Sequence, residues 1–504
     1  MDLETLLAYN WGAMMPEFII LGIATFICLF DLFMPGTMSR RPLGWLAVLG
    51  VLLAFFSLIS LIPLETTSIL FDTFRLDLFA KAFKCILLVG TLLVLLMAES
   101  YTPKEGMKET RGEFYYLFLT ALLGAMVMTS SGDLVTMFVG LELLSISSYI
   151  LAGIRKHHLS SNESALKYVI NGGIATAITL FGMSYVYGLT GTTNLREIGE
   201  LMAIILDGQF QYLFGVAFFM MFIGFSFKIA AAPFHMWAPD VYQGAPTPVA
   251  AFLSVISKTA GFIILLRIVL SLYVGAPGDA TGTFTFLEMN NVYISFIAGI
   301  TMIVGNVVAL RQKNLKRLLA YSSIAHAGYL LVTLATLGYF TIGTVWFYLL
   351  AYLCMNLGAF AVIQYISNQT GSSEISTYAG LYQQSPVLAV SLSIFLLSMA
   401  GIPGSAGFIA KINILMGTFS FGGTYYILAS ILMGTTVISY VYYFGVMRQI
   451  FFRPATVLSR TKIPISLLMV LIVCVVGTMA LGIAPSLAFD FLFQNFGSFD
   501  DFLG

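Results

Sequence analysis

The chain has 504 residues, of which 59% are hydrophobic and only 10% charged; a soluble domain carries about 25% charged residues. So little polarity cannot cover a soluble surface, so lipid must cover most of this one, and a formal net charge of zero gives no reason to expect nucleic acid. The N-terminal stretch MDLETLLAYNWGAMMPE is acidic and lacks a basic region or a small-residue cleavage site. It does not read as a cleaved signal peptide.

A membrane-spanning helix needs about 20 mainly apolar residues. Runs of that kind fall at 16–34, 43–63, 78–98, 113–130, 132–154, 165–190, 210–232, 247–274, 291–310, 317–337, 341–367, 386–419, 424–450 and 463–485. They predict an all-α polytopic membrane protein with about fourteen transmembrane helices. A tight Ser130-Ser131-Gly132-Asp133 turn separates the fourth run from the fifth. A β-barrel would instead show short alternating segments. The longest polar stretches, 99–113 and 368–385, are too short to bury a core of their own.

Basic residues occupy alternate connections: Arg40 and Arg41, then Lys104, Lys108 and Arg111, then Arg155 and Lys156. The same side later takes Arg311, Lys313, Lys316 and Arg317, and finally Arg448, Arg453, Arg460 and Lys462. The intervening connections are acidic, with Glu65, Asp72, Glu197, Glu200, Asp207, Asp279, Glu288, Asp500 and Asp501. Only Arg75 and Arg196 break the pattern. Both termini are therefore expected outside, and the even number of runs agrees.

A charge at the bilayer centre costs at least about 2.5–3.5 kcal/mol, so a buried one is a functional candidate. Glu17, Asp31, Asp133, Lys167 and Arg267 lie near predicted helix ends, where they are expected to snorkel to the interface. Lys81 and Lys84 lie in the first turns of the third run, and either reading fits them. Four residues are deeper. With a rise of about 1.5 Å per helical residue, Glu142 lies roughly 14 and 20 Å from the two ends of its run. Lys228, Lys258 and Lys411 lie roughly 18, 15 and 17 Å from Asp240, Pro248 and the Gly422-Gly423 turn, respectively. All four fall near mid-depth.

Proton transfer suits that set. A lysine in water holds its proton too tightly to relay it; burial weakens that hold, and a nearby carboxylate restores it. Glu142 approaching Lys228 from a neighbouring helix is expected to act as a switch, with Lys258 and Lys411 as onward stations. Helix breakers lie close to two of the lysines. Pro233 follows Lys228 in KIAAAPFHMWAPD, and Gly401, Pro403 and Gly404 precede Lys411 in AGIPGSAGFIAK. Interrupted helices inside membranes usually line a polar cavity, though a plain packing kink also fits either break alone. Lys228 precedes its proline by five residues and Lys411 follows its own by eight, so the two are not simple repeat equivalents.

Histidines are few. His157 and His158 lie in a basic connection, and His235 sits at the proline break. His326 lies ten residues into its helix after Lys316; it suits a proton relay, and a hydrogen-bonded core histidine fits equally well. Cys28, Cys85, Cys354 and Cys474 are scattered through apolar runs without metal or cluster spacing. No means of holding an iron–sulfur centre is visible in this chain, and nothing in the histidine spacing supports a haem.

The segments GLELLSISSY, KIAAAPFHMWAPDVYQGAPTPVAAFLSVISK, LKRLLAYSSIAHAGY and AGIPGSAGFIAK resemble the antiporter-like membrane subunits of respiratory complex I. Within that group the likeness is greatest to the subunit N/subunit 2 family of NADH–quinone oxidoreductase, from about 113 to 450. The resemblance implies two inverted five-helix repeats, 113–274 and 291–453, after a three-helix segment at 1–112 and before a C-terminal helix at 454–504. It implies that Glu142 and Lys228 form the switching pair, Lys258 the central lysine and Lys411 the terminal one, with His326 in the path. It also implies that NADH, flavin, iron–sulfur clusters and quinone belong to partner subunits, in an assembly of membrane and peripheral subunits in the bacterial cell membrane. Lysine at 411 argues against the subunit M relative, and the short tail after 485 against subunit L. A multisubunit cation/proton antiporter shares these motifs and is the alternative.

Overall fold

The computed structural model describes residues 7–35, 38–101, 110–205, 208–278, 284–338, 341–423, 425–455, 462–497 and 499–503. Lys104, Lys108, Asp207, Asp279 and Arg460 of the charge pattern lie outside them, as does the side chain of Asp500. The helices are α1 Met15–Phe33, α2 Arg41–Ser60, α3 Leu78–Ser100, α4 Arg111–Thr129, α5 Leu134–Ala152, α6 Leu159–Thr190, α7 Leu195–Ile205, α8 Gly208–Ile229 and α9 Trp237–Gly244. They continue with α10 Thr247–Tyr273, α11 Phe286–Ala309, α12 Leu315–Thr336, α13 Thr341–Thr370, α14 Pro386–Ala400, α15 Ala406–Phe421, α16 Tyr425–Phe452, α17 Ile465–Ile483 and α18 Ser486–Phe496. Among the described residues, 13 helices are long and apolar enough to cross a membrane. The predicted run at 386–419 is two shorter apolar helices in series, α14 and α15.

Local chemistry sets the boundaries. The turn predicted at 130–133 is present, and Asp133 starts α5 by accepting from the Val135 and Thr136 amides at 2.7 and 3.2 Å. Asn314 does the same for α12 through the Arg317 amide at 3.2 Å. Thr285 and Glu288 form a reciprocal capping box on α11. Gly191, at φ +73°, closes α6 in the left-handed conformation that glycine adopts freely.

The connections sort onto two faces. On one, strands β1 Thr67–Ile69 and β2 Phe74–Leu76 form an antiparallel hairpin, with Phe74 bridged to Ser131. Tyr9, Trp11 and Ala13 pack on this hairpin, and Asp501 accepts from the Thr66 hydroxyl and, at 2.9 Å, from the Leu78 amide. The first and last described segments therefore share one face. On the other face Arg155 reaches the Gly244 carbonyl, Lys316 the Ala245 carbonyl, and Asp240 joins Lys167 to Arg317 at 2.7 and 2.5 Å.

At the centre, the most apolar stretch of α10 is completely buried, and those of α12 and α13 are 94% buried. These three helices carry Lys258, His326 and a ladder of tyrosines. A lipid-facing helix cannot hold such groups at this cost.

The expected snorkelling fails at two positions. Glu17 is only 2% exposed and pairs with the fully buried Lys84, while Arg267 makes a two-pronged ion pair with Asp77 at 2.9 Å on each arm. The reason is what lies over these helix ends. Phe74 of the hairpin covers Lys84, and the stacked rings of Phe79 and Phe502 lie against the Arg267 guanidinium, 5.0 Å from each centroid. Lys81 is buried beside them and donates to the Leu64 carbonyl. Asp31 pairs with Arg40 at 2.6 Å, Asp133 serves as a cap, and Lys167 stays 41% exposed.

Removing one partner of a desolvated pair strands the other. Arg267→Met is expected to cost about 3–5 kcal/mol and deplete the folded chain from membranes. The double variant Asp77→Asn/Arg267→Gln is expected to recover most of that loss, measured by thermal unfolding of the detergent-solubilised protein.

The Asp240 tie has a defined pH window. Partial burial pushes its carboxyl up, but the hydrogen bonds from Lys167 and Arg317 outweigh that and hold it below the ordinary aspartate value of 3.8. A depressed folded value means the tie stabilises above the unfolded value and fades as pH falls through the folded one. Asp240→Asn is expected to cost up to about 1 kcal/mol at neutral pH. The gap in melting temperature from the parent should close as the pH is lowered below the aspartate range.

Candidate functional site

Lys228 ends α8 with a side chain only 5% exposed, and its Nζ donates to Ser145 Oγ at 2.9 Å. Ser145 lies one turn beyond Glu142 on α5, so the lysine docks on the helix that carries the predicted carboxylate. Among the described residues no ion pair within 4.0 Å joins Glu142 to Lys228. Glu142 Oε1 is buried without a hydrogen-bond partner. The two sequence-predicted groups are thus brought to one place but held one helical turn apart.

Lys258 is next. Gly261 stands one turn from it on α10, and a Cβ at Gly261 would lie 2.8 Å from Ile229 Cγ2 and 3.2 Å from Lys228 Cγ. The absence of a side chain there lets α10 press against the Lys228 stem. A wider π turn over Leu253–Ser257 immediately precedes Lys258, a distortion frequent at functional sites. Lys258 Nζ donates to both the carbonyl and the hydroxyl of Ser323, at 2.5 Å each.

From Ser323 the line continues along one face of α12. His326 and Tyr329 follow at three-residue steps, which on a helix places all three side by side. His326 Nδ1 lies 2.7 Å from Tyr348 Oη, and its ring packs on Tyr329 and Tyr352 at 5.5 and 5.2 Å. The Lys411 ammonium sits 4.9 Å above the Tyr329 ring and donates to the Met399 and Ala400 carbonyls at 3.0 Å.

Both predicted breaks are present. After α8 the backbone turns left-handed at Ala230 (φ +58°), passes the cis Ala232–Pro233 peptide and resumes at α9. Trp237 Nε1 returns to the Phe227 carbonyl at 3.0 Å. Between α14 and α15, Gly401 and Gly404 take φ +85° and +86°, with Pro403 between them. Gly407 then passes so close to the Ser398 carbonyl that a Cβ would collide with it.

Two cavities lie at the opposite faces of the protein. At the basic face, one of about 510 Å³ is lined by Arg155, His158, Gln243, Thr247, Lys316 and Glu374. At the opposite face, one of about 560 Å³ is lined by Thr333, Thr336, Thr341, Thr344, Asn413 and Ser420. Asn413 is two residues past Lys411, and its Nδ2 is buried without a partner.

Sequence reasoning missed Ser145, Ser323, Tyr329 and Tyr348, which join the charged residues. Spacing offered one usable signal, the three-residue steps of Ser323, His326 and Tyr329. Tyr348 lies on another helix and gave none.

The NADH:quinone oxidoreductase/Mrp antiporter transmembrane family matches residues 131–439, more than half of the chain. NADH-quinone oxidoreductase subunit N of Geobacillus sp. (strain WCH70) is 58% identical over 492 residues, covering 98% of this chain and 100% of that protein. The chain belongs to the NADH-quinone oxidoreductase subunit N family. Subunit 2 of the chloroplast NAD(P)H-quinone oxidoreductase of Mesostigma viride is 37% identical, with 96% of each chain covered. A chain of respiratory complex I from Thermus thermophilus shares 30% identity and a TM-score of 0.78, covering 94% of this chain and 99% of that one. A chain of the Mrp complex of Dietzia sp. DQ12-45-1b, 18% identical with a TM-score of 0.82 over 100% and 98%, shares the fold. As in its family, this chain is a membrane subunit of a larger NADH:quinone oxidoreductase.

The close passage at Gly261 is testable. Gly261→Val is expected to push α10 from α8 and cost about 1–3 kcal/mol through overpacking. Thermal unfolding of the solubilised protein should show this loss, and Gly261→Ala should show a smaller one.

Proposed function

We propose that Glu142, Lys228, Lys258, His326 and Lys411 carry protons through this subunit, coupled to NADH oxidation and quinone reduction in partner subunits. One observation carries the reading: Ser145 on the helix of Glu142 receives Lys228, α10 packs on the Lys228 stem at Gly261, and Ser323, His326 and Tyr329 line α12 from Lys258 to Lys411. The flavin, iron–sulfur clusters and quinone of that reaction are assigned to the partners, and this chain contributes the path.

The geometry supports a sequence of roles. A carboxylate beside an ammonium holds its proton, and a carboxylate drawn back releases it. Lys228 rests on the neutral Ser145, one turn from Glu142, which is the position of a pair drawn apart. Lys258 and Lys411 rest on neutral hydroxyl and carbonyl oxygens and are the onward stations, with His326 between them. The basic-face cavity around Lys316 supplies access from one side, and the threonine-lined cavity beside Asn413 supplies it on the other.

The paired breaks support two repeats at 113–274 and 291–453, flanked by 1–112 and 454–504. In each, the fourth crossing is the interrupted one: α8 with α9, then α14 with α15. Five crossings return the chain to the opposite face, so the second repeat begins inverted. The excess of arginine and lysine on the face away from the termini supports the reading that this face is inside and both termini are outside.

In the reconstituted complex, Glu142→Ala, Lys228→Ala and Lys258→Ala are each expected to slow proton transfer through this path by about 10²–10⁴-fold. The measurement is protons moved per NADH oxidised, with assembly checked by native electrophoresis. Full stoichiometry from normally assembled variants sinks the reading. A cation/proton antiporter role would be favoured instead if the intact complex reproducibly lacked NADH-oxidising and quinone-reducing subunits by mass spectrometry.

A further inference from the structure

A recess of about 480 Å³ lies at the basic face, far from the proton line, among the ends of α2, α3, α13 and α17. Its rim carries Arg41, Trp45, Tyr365 and Lys462, and its wall Glu99 and Ser466. The single carboxylate in the lining, Glu99, accepts from Ser466 Oγ at 2.9 Å. Among the described residues neither Arg41 nor Lys462 pairs with it within 4.0 Å, so two cations face the recess against one carboxylate. The N-termini of α2 and α17 also converge there. At α17 there is neither a side-chain cap nor an acidic residue in the first turn, so its N-terminal N–H groups favour an anion, whereas at α2 the Arg41 amide is taken by Ser39 Oγ at 3.4 Å. Trp45 and Tyr365 are the aromatic types that sit at headgroup level.

Below the recess the surface becomes a groove. Both α2 and α17 pack on α3. Along α2, the face of Arg41 and Trp45 continues through Leu49, Leu53 and Phe56, all exposed. Along α17, the face of Ile465 continues through Met469, Val473 and Val476, also exposed. Between these walls, the residues of α3 that escape burial after its first position are Val89, Leu92 and Glu99, a single stripe at helical spacing. The result is an apolar trough with a cationic, hydrogen-bonding head at one membrane interface.

We propose that this groove is a binding site for one anionic phospholipid, its phosphate between Arg41 and Lys462 and its acyl chains along α2, α3 and α17. The charge complementarity and the length of the apolar trough select a lipid. A protein helix would leave both cations and the uncapped start of α17 without an anion.

The test uses the intact purified complex with phosphatidylglycerol and phosphatidylcholine analogues that carry a photoreactive diazirine in the acyl chain. Phosphatidylglycerol should label peptides containing Leu49, Leu53 or Met469. Each surface cation is worth about a fivefold preference, so the pair gives roughly thirtyfold over phosphatidylcholine. Arg41→Gln/Lys462→Gln should abolish that preference, and Arg41→Lys/Lys462→Arg should keep it. Equal labelling by phosphatidylcholine overturns the proposal. So does unchanged labelling in an assembled glutamine variant, or a bifunctional cross-linker at Leu53 that captures another subunit in place of lipid. Should the glutamine variant fail to assemble, competition of the parent labelling by unlabelled phosphatidylglycerol but not phosphatidylcholine decides the same point.

Discussion

A positive charge in the middle of a membrane must find oxygen, and the kind of oxygen it finds decides what it does. Lys228 rests on a serine hydroxyl, Lys258 on the hydroxyl and carbonyl of Ser323, and Lys411 on the last carbonyls of α14. None of these acceptors carries a charge. A proton that leaves any of the three lysines leaves behind a neutral amine among neutral dipoles, which strands no buried ion. The carboxylate able to change that balance, Glu142, is placed at one end of the row only.

The other buried cations make the contrast. Lys84 and Arg267 are as deeply enclosed as the central lysines, yet each is locked to a carboxylate, Glu17 and Asp77 respectively. Losing a proton there would strand a buried anion at a cost of several kcal/mol. These pairs tie α1 to α3 and α3 to α10 under the hairpin and the C-terminal segment, and they act as struts. Depth alone therefore does not identify a conducting charge. Each lysine of the proposed path combines a mid-membrane position with neutral acceptors.

Much of this was legible in the sequence, because apolar run length and buried charge are direct consequences of the solvent. All the span positions, the turn at 130–133 and the two breaks could be read from residue type. The misreadings were of Glu17 and Arg267, which stand at helix ends by position along the chain. Whether a helix end meets water depends on what folds over it, here Phe74 and Phe502, which are far away in sequence. The hydroxyls that join the lysines were equally hidden. Ser145 and Ser323 are unremarkable in composition and gain meaning only when α8 and α10 bring an ammonium to each.

The unequal spacing of Lys228 and Lys411 from their prolines also acquires a physical reading. A helix that stops inside the membrane leaves carbonyls without partners, and each break must satisfy them. At the first break the Trp237 indole takes this duty at Phe227, a neutral donor that cannot leave. Lys228 is thereby free to reach across to α5. At the second break no indole serves, since Trp346 of α13 donates to the Ala82 carbonyl at 3.0 Å, and Lys411 reaches back from α15 to the carbonyls of Met399 and Ala400. The same requirement is met by a fixed group in one half and by an ammonium in the other. Lys411 is bound to the end of α14, where the helix dipole favours a cation, while Lys228 is held by a single hydroxyl. The lighter hold falls beside Glu142, where a switch needs its mobile member.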